Sequence, residues 1–183
     1  MTTKRITHWF WAWDDEKEEA WLGKMAKEGL HLKSIGAPCF YGFEIGEPRN
    51  DVYRLDYILD RKDYPAYLQL FRDAGWEHIG EMGGWQYFRT QVQGSQVPEI
   101  YTDKNSKALK YQRVIITLII FLPIFMMFAI RPVFMMFTTR PVSADSPFTE
   151  LYLAGKFILN LFMILYAYAM IRIFGRMQQL KKK

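Results

Sequence analysis

The feature that most constrains this chain is a pair of long apolar runs in its last third. Val114 to Ile130, VIITLIIFLPIFMMFAI, contains no charge and is fenced by Arg113 and Arg131. Leu151 to Phe174, LYLAGKFILNLFMILYAYAMIRIF, is charged only at Lys156 and Arg172, toward its ends. A helix crossing a bilayer needs about 20 predominantly apolar residues. Long cationic stems snorkel to the headgroups from span ends, and a proline such as Pro123 is tolerated inside a span. The runs therefore predict a two-helix transmembrane hairpin over 114–174. The alternative, a buried core hairpin, lacks chain to cover it.

Charge is distributed to match. The 183 residues carry a net charge of +5 and a pI near 9.2, but residues 1–110 are net −2 and residues 111–183 net +7. Lys104, Lys107, Lys110 and Arg113 precede the first run. Arg172, Arg176 and Lys181 to Lys183 follow the second, and the loop between holds Arg131 and Arg140 against Asp145 and Glu150. The positive-inside rule predicts two spans with both termini in the cytoplasm and the loop outside. The segment ITHWFWAW is too short for a signal peptide and runs straight into DDEKEE. The basic pI belongs to the membrane segment, so nucleic acid is not an expected partner, because counterion release needs clustered cations on the soluble part. One cysteine, Cys39, excludes an internal disulfide framework and a multi-cysteine metal site.

Two local features mark the hairpin. Phe125–Val133, FMMFAIRPV, is followed by Phe134–Val142, FMMFTTRPV, a tandem duplication. The first span is expected to stop at Arg131–Pro132, since arginine deep in hydrocarbon costs about 2.5–3.5 kcal/mol. The alternative frame continues to Phe137. Asn160 lies deep in the second span, where an amide pairs two helices of one chain, pairs two protomers of a homo-oligomer, or bonds within its own helix.

Residues 1–92 read as an α+β module. Asp14 or Asp15 caps a helix, with Asp15 and Glu18 fitting a capping box and the acidic first turn matching the helix dipole. Trp21, Leu22, Met25 and Ala26 form its apolar stripe, and Gly29 ends it. Strands are predicted at Leu30–Ile35, Phe40–Ile45 and Val52–Leu59, the last with Tyr53, Leu55, Tyr57 and Leu59 alternating with Arg54 and Asp56. A second helix begins near Asp60 or Asp63, carries Tyr64, Tyr67, Leu68 and Phe71 on one face, and ends at Gly75. Strands at about Trp76–Gly80 and Trp85–Val92 join through Gly83-Gly84. The expected fold is a small antiparallel sheet of about five strands with two helices on one face. Residues 93–113 read as a linker or juxtamembrane extension, and 175–183 as a basic cytosolic tail.

Four ordered motifs carry a family resemblance: WFWAWDDEKEEAWLGKMAKEGLHL from Trp9, YRLDY at Tyr53–Tyr57, FRDAGWEH at Phe71–His78 and GWQYFR at Gly84–Arg89. Over roughly residues 8–90 the chain resembles an uncharacterised bacterial family, domain of unknown function (DUF) 2812. The resemblance implies a cytosolic module joined to membrane spans in the bacterial inner membrane, and gene neighbours encoding PadR-like transcriptional regulators. It implies no activity and no cofactor.

The residues nominate no catalytic, cofactor-binding or metal site. His8, His31 and His78 lack metal spacing, and no HExxH or CxxC motif is present. His31 and His78 are expected as partly exposed strand residues, and Cys39 as a small buried one. Gly80, Gly83 and Gly84 are not followed by the Lys-Ser/Thr or helix of a phosphate loop. The acidic cluster Asp14, Asp15, Glu16, Glu18 and Glu19 reads as a solvated first turn. The aromatic excess is more informative: Trp9, Trp11 and Trp13 alternate ahead of the first helix, with Trp9 and Trp11 expected to be exposed. Together with Lys17, Arg54 and Asp56 they form the expected interaction surface, an aromatic anchor with a polar rim, or rest in the bilayer interface. The function expected is a membrane-anchored regulatory module with a protein partner and the lipid bilayer. The alternatives are a lipid-acting membrane enzyme or subunit, with Arg54, Asp56, His31 or His78 converging in a pocket, and an accessory subunit of a transporter.

Overall fold

A computed structural model of the chain describes residues 2–92, 97–101, 103–138 and 149–182. Ten elements follow one another: β1 (Thr3–Thr7), α1 (Asp15–Lys27), β2 (Leu30–Gly36), β3 (Phe40–Ile45), β4 (Asp51–Tyr57), α2 (Tyr64–Asp73), β5 (Glu77–Met82), β6 (Trp85–Gln91), α3 (Lys104–Thr138) and α4 (Thr149–Lys182). The α+β class is as expected. The single five-stranded sheet is not: six strands form two antiparallel three-stranded sheets, ordered β1-β3-β2 and β4-β6-β5.

The difference comes from β1. Its five residues, TKRIT, are short, polar and mostly exposed, so no alternating apolar signal marks them. β1 pairs with β3, from Thr3 opposite Glu44 to Thr7 opposite Phe40. With β1 in place, β4 is no extra strand but the first strand of a second βαββ unit. The chain is two such units in tandem, and β2 of the first packs beside β5 of the second. Each of β2 and β5 is bulged against its hairpin partner, between Leu32 and Ser34 and between His78 and Gly80.

The two helices do not share a face. α1 packs on β2 and β4, touching both sheets. Its Leu22 and Ala26 are buried with Leu32, Tyr41, Phe43, Tyr53, Leu55 and Tyr87. Side chains alternate across a strand, so Phe88, next to Tyr87, faces the other way, and α2 lies there. The Phe71 ring stacks on Phe88 at 4.0 Å and Tyr67 meets it at 6.0 Å. α2 buries none of its residues fully.

Both helices end as glycine predicts. In α2, Gly75 N–H donates to the Arg72 carbonyl and Trp76 N–H to Phe71, the paired bonds of a Schellman cap. Gly29 and Gly75 have φ of 78° and 82°, in the left-handed region. Gly29 is further confined, since its carbonyl accepts the Gly46 N–H at 2.9 Å and a Cβ would sit 2.4 Å from the Gly46 oxygen.

α3 begins at Lys104, so the juxtamembrane stretch is helical in its second half. It continues through Arg131–Pro132 to Thr138, which corrects the expected stop. A proline removes one backbone N–H and one hydrogen bond from a helix, and here the flanking turns carry the helix past it. α4 returns antiparallel, with Tyr111 and Val114 against Ile173 and Met177, and Tyr166 O–H donating to the Leu118 carbonyl. Asn160 occupies an exposed position on α4. Residues 139–148, with Arg140 and Asp145 of the expected outer loop, and residues 93–96 of the expected linker lie outside the described residues. Among the described residues one segment, Phe157–Lys181, is long and apolar enough to cross a membrane.

Gly29→Ala and Gly75→Ala separate backbone strain from steric clash. Each places a Cβ in the left-handed region, costing about 1–2 kcal/mol. Only the first meets a neighbour, since nothing lies within 4 Å of a Cβ at Gly75. Chemical unfolding of both variants is expected to show the larger loss for Gly29→Ala.

Candidate functional site

The buried face of α1 is unusual chemically. Asp15, Glu18, Glu19, Leu22 and Ala26 are its buried residues, so three carboxylates continue the apolar stripe at helical spacing. This overturns the solvated first turn expected for the acidic cluster. The capping box is absent as well: Asp14 is the N-cap, without a side-chain cap bond. The carboxylates are committed to tertiary partners instead.

Asp15 is 2% exposed and Lys110 of α3 is fully buried. Their charged atoms lie 2.6 Å apart, and Tyr111 O–H donates to both Asp15 oxygens at 3.1 Å. Lys110 Nζ also donates to the Leu55 carbonyl at 3.0 Å and faces the rings of Tyr111, Tyr101 and Trp85 at 5.2–5.8 Å. Glu19 accepts the Leu55 N–H at 2.8 Å. Leu55 sits on β4, an edge strand, and an unpaired edge exposes backbone donors and acceptors that must be satisfied. α1 and α3 supply one carboxylate and one ammonium to close that edge.

Further pairs extend the junction. Glu16 accepts from Lys107 of α3 at 3.1 Å and from Arg176 of α4. Asp56 of β4 is buried and takes Arg113 at 2.7 Å, Tyr101 O–H at 2.6 Å, Tyr67 O–H at 3.0 Å and the Tyr57 N–H at 2.7 Å. Arg54 bridges Glu19 at 3.5 Å and Glu99 at 3.3 Å. Glu18 is held otherwise: Tyr41 and Tyr87 each donate a hydroxyl to its Oε1 at 2.7 Å. Tyr41 of β3 belongs to the first βαββ unit, opposite Ile6, and Tyr87 of β6 to the second, opposite Leu55. One carboxylate thus ties the repeats together.

Burial governs these acids. It pushes the Glu19 carboxyl up to about 7, with Lys110, the Leu55 N–H and Arg54 pulling the other way and Asp15 adding to the rise. Burial also lifts Glu18, opposed by hydrogen bonds from Tyr87 and Tyr41. Tyr41 and Tyr87 stay neutral hydroxyl donors, their ionisation displaced upward by burial and by the charge of Glu18.

The expected interaction surface divides. Trp9 and Trp11 are 55% and 37% exposed, and Lys17 is exposed as well. Trp13 is half-buried, its ring edge-on to Tyr168 of α4 at 5.5 Å. Arg54 and Asp56 are not rim residues, since both are engaged in the junction. They also do not meet the histidines. His31 and His78 line a separate cleft of about 550 Å³ between the sheets, with Arg89 and Glu77. There His31 Nε2–H donates to the Glu47 carbonyl at 2.8 Å and its Nδ1 accepts from Arg49 Nε at 3.2 Å. His78 Nε2 bonds Gln86 at 2.9 Å. Among the described residues no three His, Cys, Asp or Glu side chains are grouped to hold a metal ion.

A family model described as protein of unknown function (DUF2812) matches residues 14–123. The chain belongs to the DUF2812 family. No curated protein and no solved structure matches it. The DUF2812 segment runs from the N-cap of α1 into α3, so it contains Asp15, Glu19, Asp56, Lys110 and Arg113. It therefore holds both sides of the α1–α3 junction. It reaches further than the resemblance over 8–90, and it leaves out Trp9, Trp11 and Trp13.

Sequence reasoning missed the junction although a signal was present. Asp15, Glu18 and Glu19 are in helical phase with Leu22 and Ala26, and Lys107, Lys110 and Tyr111 fall on one side of α3. The cations also have a sufficient local explanation as topological markers beside the apolar runs.

Two outcomes follow from this geometry. Lys110→Met leaves Asp15 buried without its counter-ion, which costs about 3–5 kcal/mol. Thermal unfolding of the purified chain is expected to show that loss, and Asp15→Asn added to Lys110→Met to recover part of it. Glu19, raised from its ordinary 4.5 to about 7, binds its proton more tightly in the folded chain. Stability from this group is full below pH 4.5 and declines as pH rises to about 7. Unfolding midpoints across that window are expected to fall with rising pH, and less so in Glu19→Gln.

Proposed function

We propose that this chain is a membrane-anchored regulatory module. Its α+β body is cytosolic, α3 and α4 are two spans of the bacterial inner membrane, and both termini face the cytoplasm. The carrying observation is the junction: Lys107, Lys110, Arg113 and Arg176, four cations at the ends of the apolar helices, each meet a carboxylate of α1 or β4. Such pairs make the body respond to the tilt and spacing of the spans, because moving a buried ammonium away from its carboxylate is costly. The outer faces of both helices support the anchoring. Ile116, Ile120, Ile124, Ile158, Leu161 and Ile164 are all exposed, a contiguous apolar surface of the kind that marks a membrane or protein contact.

The body then presents the membrane's state to a protein partner. A PadR-like transcriptional regulator is the partner class implied by the family resemblance. The lipid-enzyme reading has less support, since Arg54 and Asp56 are used in the junction, away from the His31 and His78 cleft.

Two measurements test this. With Cys39→Ser as background, Lys24→Cys on the exposed side of α1 is expected to react with an impermeant maleimide only after the inner membrane is opened. Labelling in intact cells would overturn the topology. The full chain in nanodiscs is expected to bind a purified PadR-like regulator from the same genome saturably, and absence of saturable binding would overturn that partner.

A further inference from the structure

Three tryptophans ahead of α1 form a continuous stack. Trp9 meets Trp11 edge-on at 5.4 Å, Trp11 lies parallel to Trp13 at 5.2 Å, and Trp13 meets Tyr168 of α4 at 5.5 Å. None of these three is in the module core, and the outer two are exposed. The stack therefore leaves the body and ends on α4. Its end point is informative. Tyr168 lies one turn before Arg172, and Ile164 and Ile171 on either side are about 70% exposed. The aromatic stack is continuous with the bare apolar surface of the helix, at the level where its first C-terminal cation appears.

Behind the stack lies a cavity of about 300 Å³, lined by Trp13, Lys17, Arg172, Arg176 and Gln179, with Asp14 and Glu16 at its wall. Two of its cations are matched: Lys17 to Asp14 at 2.5 Å, and Arg176 to Glu16. Arg172 is the surplus. Its guanidinium lies 6.0 Å from the Tyr168 ring, and no carboxylate among the described residues lies within ion-pair distance of it. A net positive pocket walled by an amphipathic ring suits a group with a phosphate at one end and apolar chains at the other. Tryptophan and tyrosine favour the bilayer interface for the same reason, and Arg and Lys beside it attract anionic headgroups.

We propose that the Trp9–Trp11–Trp13 stack is an interfacial wedge and that the cavity behind it, with the surplus Arg172 as its main cationic contact and Lys17, shared with Asp14, as a second, binds the headgroup of an anionic phospholipid. The site rests on α4 being a span. It gives the body a second attachment to the bilayer, through a lipid instead of the chain, and makes its position sensitive to headgroup charge.

The test uses the full chain in detergent, titrated with mixed micelles of brominated phosphatidylglycerol or brominated phosphatidylcholine while tryptophan fluorescence is read. Saturable quenching at lower concentration of phosphatidylglycerol is expected. Lys17→Gln with Arg172→Gln is expected to remove that preference, at roughly fivefold per cation. Both side chains lie outside the buried junction, and an unchanged unfolding midpoint checks that the variant is folded. Trp9→Ala with Trp11→Ala is expected to remove most of the quenching. Equal quenching by the two lipids, or a preference that survives loss of both cations, would overturn the site. Displacement by glycerol phosphate at the same concentration as the lipid would reassign it to a soluble phosphate and overturn the lipid. Flotation with vesicles separates the underlying reading: a chain that fails to float loses its spans, whereas one that floats without headgroup preference loses only this site.

Discussion

The arrangement depends on one buried ion pair. Lys110 has no exposed surface, and Asp15 is its nearest anion. Removing two charges from water carries a large penalty, recovered only when geometry is close and the remaining polar atoms are bonded. Both conditions hold: Lys110 adds the Leu55 carbonyl and three ring faces, and Asp15 adds the Tyr111 hydroxyl. The pair joins the first turn of α1 to the lower part of α3. The surrounding contacts, from Lys107–Glu16 to Arg113–Asp56, fall into place on the frame it sets.

The same turn of helix also organises the body. Glu18 lies one helical turn from Asp15 and points to the two sheets, where Tyr41 and Tyr87 converge on a single oxygen. Because one tyrosine comes from each βαββ unit, Glu18 marks their meeting point. Glu19, beside it, closes the β4 edge. Three successive buried carboxylates thus do different jobs: Asp15 faces α3, Glu18 the repeat interface, and Glu19 the strand edge. Burial raises Glu18 and Glu19 in pKa, and Glu19, pushed up to about 7, changes charge at the strand edge in the neutral range.

Much of the fold was legible in the sequence where local chemistry dominates. Gly29 and Gly75 end helices because the left-handed backbone there excludes other residues. Five strands were visible because alternation of Tyr, Leu and Phe with polar residues is a local signal. β1 was not, since TKRIT alternates weakly and owes its extended form to β3. The placement of α2 was also not legible: periodicity identifies an apolar face but does not say which side of a sheet it covers. The candidate site was the least legible part. Acidic residues at a helix start have an ordinary explanation in the dipole, and cations beside apolar runs have one in membrane topology. Each explanation suffices alone, so neither group calls for the other.

The sequence by itself determined that an aromatic α+β body precedes two long apolar helices, and that negative charge sits on one and positive on the other. Those facts follow from composition, period and end signals, which are properties of neighbouring residues. Only the tertiary structure decided that the opposite charges meet, that Asp56 and Arg54 leave the surface for the junction, and that Trp13 ends on Tyr168. Residues 15 and 110 are far apart in the chain. Their contact exists because β4 presents an open edge that α1 and α3 close together, a constraint that comes into being once the sheet is formed.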